Sequence, residues 1–422
     1  MNYPKMVKIR QKLCNEKLDD IPMKVRKEIF KLDIGGKIEK GDTVAITCGS
    51  RGISNINIII KAVVDTLSEL GLNSFIVPAM GSHGSATAEG QKEMIAHYGV
   101  TEDFIGVPIK SSMDVVEIGE TEDGVNVCID KNAFDADHIL VLNRIKLHTD
   151  FKGVNESGLM KMMTIGLGKY VGATRYHTAA VDYGMQHMIH TVGRTVLKNA
   201  KILCGLGIIE NGYDQTADIC AFNPDMLEMG EREMLLRANE FFPRLPVENV
   251  DILILDVIGK NISGTGMDTN VIGRFYCPVY SKEPESPKIK RIIVSDLTEQ
   301  SNGNGTGIGL ADFCNQRIIN KLDKNATYIN CLTGMAPEKA RIPITYPNDR
   351  MSMQSALRTI GLVAPESARV IHAYSTLHME FLEVSESVAK ELELRDDIEI
   401  LEEANELLFD ENDNFIPVNK KF

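Results

Sequence analysis

The sequence predicts an α/β fold of two α/β domains with mostly parallel sheets. Two features carry this. Short apolar strands alternate with amphipathic helices, and a proline-rich break interrupts the alternation past the middle of the chain. A third is length. The chain has 422 residues, and single cores seldom grow beyond about 250–300. A strand–loop–helix repeat is the pattern that lays helices over a parallel sheet.

Thr43-Val-Ala-Ile-Thr47 is the first clear strand, entered through Lys-Gly-Asp and left through Cys-Gly-Ser-Arg51-Gly. Ile56 to Leu70 carries helical periodicity and stops at Gly71. Ser74 to Pro78 is the next strand, and Met80-Gly-Ser-His83-Gly-Ser the loop after it. Thr87 to Tyr98 reads as a helix with Thr87 as its cap. Asp137 to Leu142 is a further buried strand. Val181 to Ala200 is expected as a helix, 202–209 as a strand and Met226 to Glu240 as a helix. Phe241-Phe-Pro-Arg-Leu-Pro246 then breaks the pattern. Beyond it, Asp251 to Val257, Arg291 to Val294 and Thr327 to Leu332 are expected as strands. The expected division is residues 1–245 as a catalytic and cofactor-binding domain and 246–390 as a second α/β domain. Residues 391–422 form an acidic tail packed on the body. Ligands of parallel sheets bind beyond the carboxyl ends of the strands. Arg51, His83 and His148 each follow a strand closely, so they are expected to converge on one active-site cleft between the domains.

Composition narrows the function. Hydrophobic residues make up 43% and charged residues 25%, as in soluble globular proteins. A net charge of −13 argues against a broad nucleic-acid footprint, though a locally basic cleft can still hold an anionic substrate. Eight cysteines include no C-x-x-C pair, which fits thiols of a reducing compartment better than disulfides or a zinc site. No apolar stretch approaches the ~18 residues of a membrane span, and the expectation is a cytoplasmic protein without a membrane or nucleic-acid partner.

The densest chemistry lies between His148 and His177. Those thirty residues hold two histidines, three lysines, two carboxylates and five glycines. Glycine lets backbone approach a bulky ligand. Histidine and lysine carry protons, bind metals and form covalent tethers. Elsewhere, His187 and His190 are three apart on a helix without an accompanying carboxylate pattern, which favours packing or a surface position. Lys260 to Arg274 is either a phosphate-binding turn or a tight strand-to-loop turn. Gly303-Asn-Gly-Thr-Gly-Ile-Gly309 lacks the dinucleotide-binding context and reads as a loop.

Taken together, Ala79-Met-Gly-Ser-His83-Gly, Arg51 after the first long strand, His148 leading into a Gly-rich segment, and Lys161 followed sixteen positions later by His177 resemble the nickel-pincer lactate racemase family. The resemblance covers most of residues 40–180. It implies an isomerase that racemises or epimerises a 2-hydroxy acid through a lysine-tethered nickel-pincer nucleotide, which takes and returns a hydride. It further implies Lys161 as the tether, His177 as the nickel ligand, and His83 and His148 as the acid–base pair. Arg51 would hold the substrate carboxylate or serve as a local orienting group. Cofactor-synthesis proteins would be needed for maturation. Soft sulfur donors with one imidazole suit square-planar Ni(II).

The chain departs from the family in places. Cys48 stands where the family has an aspartate. The interval from His148 to Lys161 is three residues longer, which leaves Lys152 and Lys169 as rival tethers. The family's second-domain glutamine and lysine have no direct match. Asn270 and Arg274 are the candidates for substrate contacts there. These changes point away from lactate and toward a larger substrate such as a sugar acid or a dicarboxylic hydroxy acid. Two other readings use the same residues: a hydroxy-acid dehydrogenase or lyase with a dissociable nucleotide, and a non-catalytic nucleotide- or metal-binding protein.

Overall fold

A computed structural model describes residues 2–50, 52–277 and 282–421. The chain divides into two units, Cys14–Phe242 and Met1–Leu13 with Pro243–Phe422. The fold is α/β with mixed, mostly parallel sheets. The division falls inside the proline-rich break. Residues 2–13, expected in the N-terminal domain, join the other unit instead, because Met6–Gln11 is a strand of its sheet.

In the unit Cys14–Phe242, a five-stranded sheet is built from β2 (Thr43–Cys48), β3 (Asn73–Pro78), β6 (His138–Arg144), β7 (Ile202–Glu210) and β8 (Thr216–Phe222), in the order β3-β2-β6-β7-β8. The first four run parallel and β8 is antiparallel to β7. Val44 therefore stands beside both Ser74 and His138. The carboxyl ends at Cys48, Pro78 and Arg144 share one edge of the sheet, and the loops carrying Ser50, His83 and His148 leave from that edge. A hairpin, β4 (Val115–Glu120) with β5 (Asn126–Asp130), stands apart from this sheet.

The helix Ile56–Glu69 buries Ile59, Ile60, Val63 and Leu67 completely against this sheet's core. Its N-cap residue Asn55 sits at φ 59° without a side-chain capping bond. A missing cap costs about 1 kcal/mol, whereas each buried aliphatic side chain contributes about 1.5–3 kcal/mol. Packing therefore decides this helix. The helix expected over Val181 to Ala200 is two helices, Lys169–Tyr183 and Met185–Asn199. They break at Gly184, whose φ of 83° and ψ of 145° no helix accommodates.

The other unit holds an eight-stranded sheet ordered β12-β11-β10-β9-β13-β14-β1-β15. Its strands are β1 (Met6–Gln11), β9 (Asn249–Ile258), β10 (Lys288–Leu297), β11 (Phe313–Asn315), β12 (Ile344–Tyr346), β13 (Val370–Ser375), β14 (His378–Ser385) and β15 (Ile398–Ile400). The pairs from β12 to β13 are parallel, and those from β13 to β15 antiparallel. Thr327 to Leu332, expected as a strand, is helical within Lys324–Thr333. Asp323 accepts the Ala326 N–H at 3.0 Å and starts that helix. No described helix is long and apolar enough to cross a membrane.

Candidate active site

His83 lies in the loop beyond β3. Its Nδ1 is 2.5 Å from the Ser50 hydroxyl, in the loop beyond β2. Tyr98 Oη donates to the Ser50 carbonyl at 3.0 Å and fixes that residue's backbone. Thr87 caps the next helix, accepting the Gly90 N–H at 3.0 Å. The crossing is too tight for side chains: a β-carbon on Gly90 would lie 2.2 Å from the Gly84 carbonyl oxygen. Cys48, at the end of β2, is buried, and burial pushes its thiol up to about 12. It brings no charge where the family has a carboxylate. Arg51 lies outside the described residues.

His148 lies in the loop beyond β6. Lys146 and Ser157 pair across the base of that loop. Glu156, buried inside it, accepts the N–H of His148 at 2.6 Å and of Gly153 at 3.2 Å. Burial raises the Glu156 pKa, and Lys152, 3.7 Å away, opposes the shift. The His148 ring packs on Phe151 with centroids 4.3 Å apart. Its Nδ1 accepts the Asp150 N–H at 3.0 Å. Its Nε2 is 2.5 Å from Lys161 Nζ.

Lys161 closes a single helical turn, Leu159–Lys161, that runs into a π-helical turn over Met162–Gly166. Such turns are rare and recur at functional sites. Glu231 organises its start. This fully buried carboxyl accepts the Met160 N–H at 2.8 Å and the Asn155 amide at 3.0 Å. Burial pushes its pKa up to about 7. A β-carbon on Gly158 would lie 2.6 Å from that carboxyl, so glycine is required there.

His177 sits two turns into the helix Lys169–Tyr183. Burial pushes its pKa down to about 4, and a cationic Lys161 nearby would add to that while Asp150 opposes it. The ring is uncharged at neutral pH, the form in which an imidazole binds a metal. The structure thus brings His148, Lys161 and His177 together. The His83 loop packs on the same turn, with the Gly81 N–H 3.3 Å from the Gly166 carbonyl oxygen.

The rival lysines separate clearly. Lys169 is fully buried and bonded to the Pro78 carbonyl, Gln91 and Asp130, which leaves its amine closed to a cofactor. Lys152 pairs with Glu156. His187 is 2.7 Å from Asp123, and His190 is 3.2 Å from Asn155. Among the described residues no group of three or more His, Cys, Asp or Glu side chains is placed to hold a metal ion.

Asn270 and Arg274 belong to the other unit. The Asn270 amide donates to Asp268 at 3.0 Å. The Arg274 guanidinium donates to the carbonyls of Leu310, Ile289 and Lys290 and pairs with Asp312 at 2.9 Å. It ties chain segments together, a use the sequence did not reveal. Between Gly259 and Met267 the backbone amides bond within the turn itself, as in Gly259 N–H to Gly266 C=O at 2.8 Å. That is the tight-turn alternative for Lys260 to Arg274. The glycine-rich loop packs on this turn, and a β-carbon on Gly307 would overlap the Thr265 carbonyl.

Sequence reasoning missed Glu156, Glu231, Ser50 and Gln91. Glu156 was visible as a carboxylate in the reactive segment. Glu231 is 70 residues from Lys161, and nothing local marks it.

Residues 36–188 match the family model described as the lactate racemase N-terminal domain. The solved structure of the lactate racemase apoprotein from Thermoanaerobacterium thermosaccharolyticum is similar over 91% of each chain, at 14% identity and a TM-score of 0.48. No curated protein matches the chain. The matched segment, about a third of the chain, spans Ser50, His83, His148, Lys161 and His177, and over it the chain is similar to the lactate racemase N-terminal domain.

Proposed function

We propose that this chain is a racemase or epimerase of a 2-hydroxy acid, with His83 and His148 as the proton-carrying pair. The observation that carries the reading is the 2.5 Å contact between Lys161 and His148, formed beside an uncharged His177.

The residues present fit the family's nickel-pincer nucleotide. Lys161 offers one amine for covalent attachment, and His177 offers one neutral imidazole to a metal whose other donors arrive with the nucleotide. When bound, that group supplies the centre that accepts and returns the substrate's hydride. The chain's own task is proton handling. His83 Nδ1 faces the Ser50 hydroxyl, which can donate or accept and so suits a ring that takes and returns a proton. In His148 the Asp150 N–H holds Nδ1 as an acceptor. The proton therefore moves at Nε2. Acylation of Lys161 would remove the amine lone pair that competes for that proton. Two bases serve because enantiomers present their hydroxyls differently. Arg51 would hold the substrate carboxylate through a bidentate pair. The substrate class is a 2-hydroxy acid other than lactate, such as a sugar acid or a dicarboxylic hydroxy acid.

The test uses matured protein and enantiopure 2-hydroxy acids deuterated at C2. Racemisation without added nicotinamide nucleotide, with deuterium retained at C2, is the expected result. Net oxidation that requires added nucleotide would instead mark a dehydrogenase. Loss of deuterium to solvent would mark proton abstraction at C2.

A further inference from the structure

We propose that Lys169 is a positioning residue for His83, acting through Gln91 and through the Pro78 carbonyl. The proposal rests on the reading of His83 as a proton carrier.

Lys169 occupies a position that disfavours lysine twice. It is fully buried, and its φ of 52° lies in the left-handed region that side chains with a β-carbon avoid. Such conformations persist where surrounding structure over-determines them. Here the surroundings of the amine are two hydrogen-bond acceptors and one carboxylate at ion-pair distance. Pro78 O lies at 2.5 Å, Gln91 Oε1 at 3.0 Å and Asp130 Oδ2 at 3.1 Å. Each belongs to a different element: the end of β3, the helix Ala88–His97 and the end of β5.

The ammonium also sets how Gln91 is turned. Because Gln91 Oε1 faces a cation, its amide nitrogen must face the other way. It donates to the carbonyls of Gly81 at 2.9 Å and His83 at 3.2 Å. Gln91 is itself fully buried, so water cannot replace these bonds. From the other side the Gly81 N–H meets Gly166, and a β-carbon on Gly81 would lie 3.1 Å from Ile165. The backbone from Gly81 to His83 is thus held on both sides, and the His83 ring is left on Ser50. Lys169 also follows Lys161 by eight residues across the π-helical turn. One buried cation therefore ties the His83 loop to the turn that bears Lys161.

The experiment compares Lys169→Met, Lys169→Arg, Gln91→Leu and the double variant Lys169→Met/Gln91→Leu in the full chain. Hydrogen exchange of the peptide over residues 79–87 is read against β6 and β7, alongside labelling of His83 by diethyl pyrocarbonate. Expected for Lys169→Met and Gln91→Leu is about tenfold faster exchange in 79–87 with β6 and β7 still protected, and altered His83 labelling. The double variant should be no worse than Lys169→Met, and Lys169→Arg should recover part of the protection. In matured enzyme kcat should fall about tenfold or more with KM unchanged. Unchanged exchange and labelling in both single variants would overturn the proposal. Should Lys169→Met not fold, Gln91→Leu decides alone, because it leaves the Lys169–Asp130 pair in place. Should no 2-hydroxy acid be racemised, the functional reading fails while exchange and labelling still judge this one.

Discussion

Nζ of Lys161 lies 2.5 Å from Nε2 of His148, and the opposite ring nitrogen accepts the Asp150 N–H. A backbone N–H can only donate, so Nδ1 holds a lone pair and the ring proton sits on Nε2. In its uncharged form the Lys161 amine can accept that proton's hydrogen bond. The uncharged amine is the nucleophilic form.

Lys161 should therefore outreact the chain's surface lysines toward a mild acylating reagent at neutral pH. Peptide mapping after brief labelling reads this directly. His148→Phe should slow labelling of Lys161, because it removes the ring N–H whose hydrogen bond favours the uncharged amine. Labelling of Lys161 at the rate of exposed lysines in the parent protein would refute the arrangement.

Two glycines of the reactive segment should respond differently to alanine. At Gly158 the new methyl meets the buried Glu231 carboxyl, which is held by Met160 and Asn155 and cannot withdraw. Gly158→Ala should cost about 1–3 kcal/mol in denaturant unfolding. At Gly153 the methyl meets the end of the Gln186 side chain at 2.6 Å. That side chain can swing, so Gly153→Ala should be much milder. Equal costs would show that Glu231 does not brace the turn.

Glu231 also gives stability a pH dependence. Burial pushes its folded pKa up to about 7 from 4.5. A raised acid binds its proton more tightly in the folded state, so its contribution is complete below pH 4.5 and is lost as pH rises through about 7. Glu231→Gln keeps a carbonyl acceptor and cannot ionise. Its melting temperature should fall less than the parent's between pH 5 and pH 8. Parallel curves would count against the shift.

A second linkage sits in the other unit. His372 is buried between Asp256 at 2.8 Å and Glu383 at 3.0 Å, and Lys421 reaches Glu383 at 2.6 Å. Burial works to lower the His372 pKa, but the two carboxylates outweigh it and the net shift is upward. Glu383 is also buried, yet its cationic partners bring it down to about 2. The histidine term is complete below pH 6.5 and fades as pH rises through its raised folded value. The glutamate term is complete above pH 4.5 and fades as pH falls through about 2. The cluster should thus stabilise most between pH 4.5 and 6.5. It also holds the chain terminus, since Asp256 accepts the Val418 N–H at 2.7 Å. His372→Gln should lower the melting temperature most in that window and should release residues 418–421 to faster hydrogen exchange.

The parallel strands β2, β3, β6 and β9 were legible because buried strands are continuous apolar runs bounded by turn residues. Met6–Gln11 was not, since its partners β14 and β15 lie more than 370 residues away and its own sequence mixes Lys, Arg and Gln with apolar residues. Thr327 to Leu332 has strand-like composition, but the Asp323 cap and its packing make it helical. At the site, the sequence marked His148, Lys161 and His177 as candidates, because they share one segment, and the structure brings them together. It could not mark what orients them. Gln91 and Glu231 act through the backbone of other elements, and such roles leave no local pattern. The place of Arg274 was hidden for the same reason: the three carbonyls that occupy it come from Ile289 and Lys290 on β10 and from Leu310.

The most direct test of the central claim is peptide mass spectrometry on chain produced together with the cofactor-synthesis proteins and nickel. A sulfur-containing nucleotide adduct on Lys161, lost in Lys161→Ala, is the predicted result. An unmodified chain beside a fully modified lactate racemase control, or an adduct carried by Lys152, would contradict it.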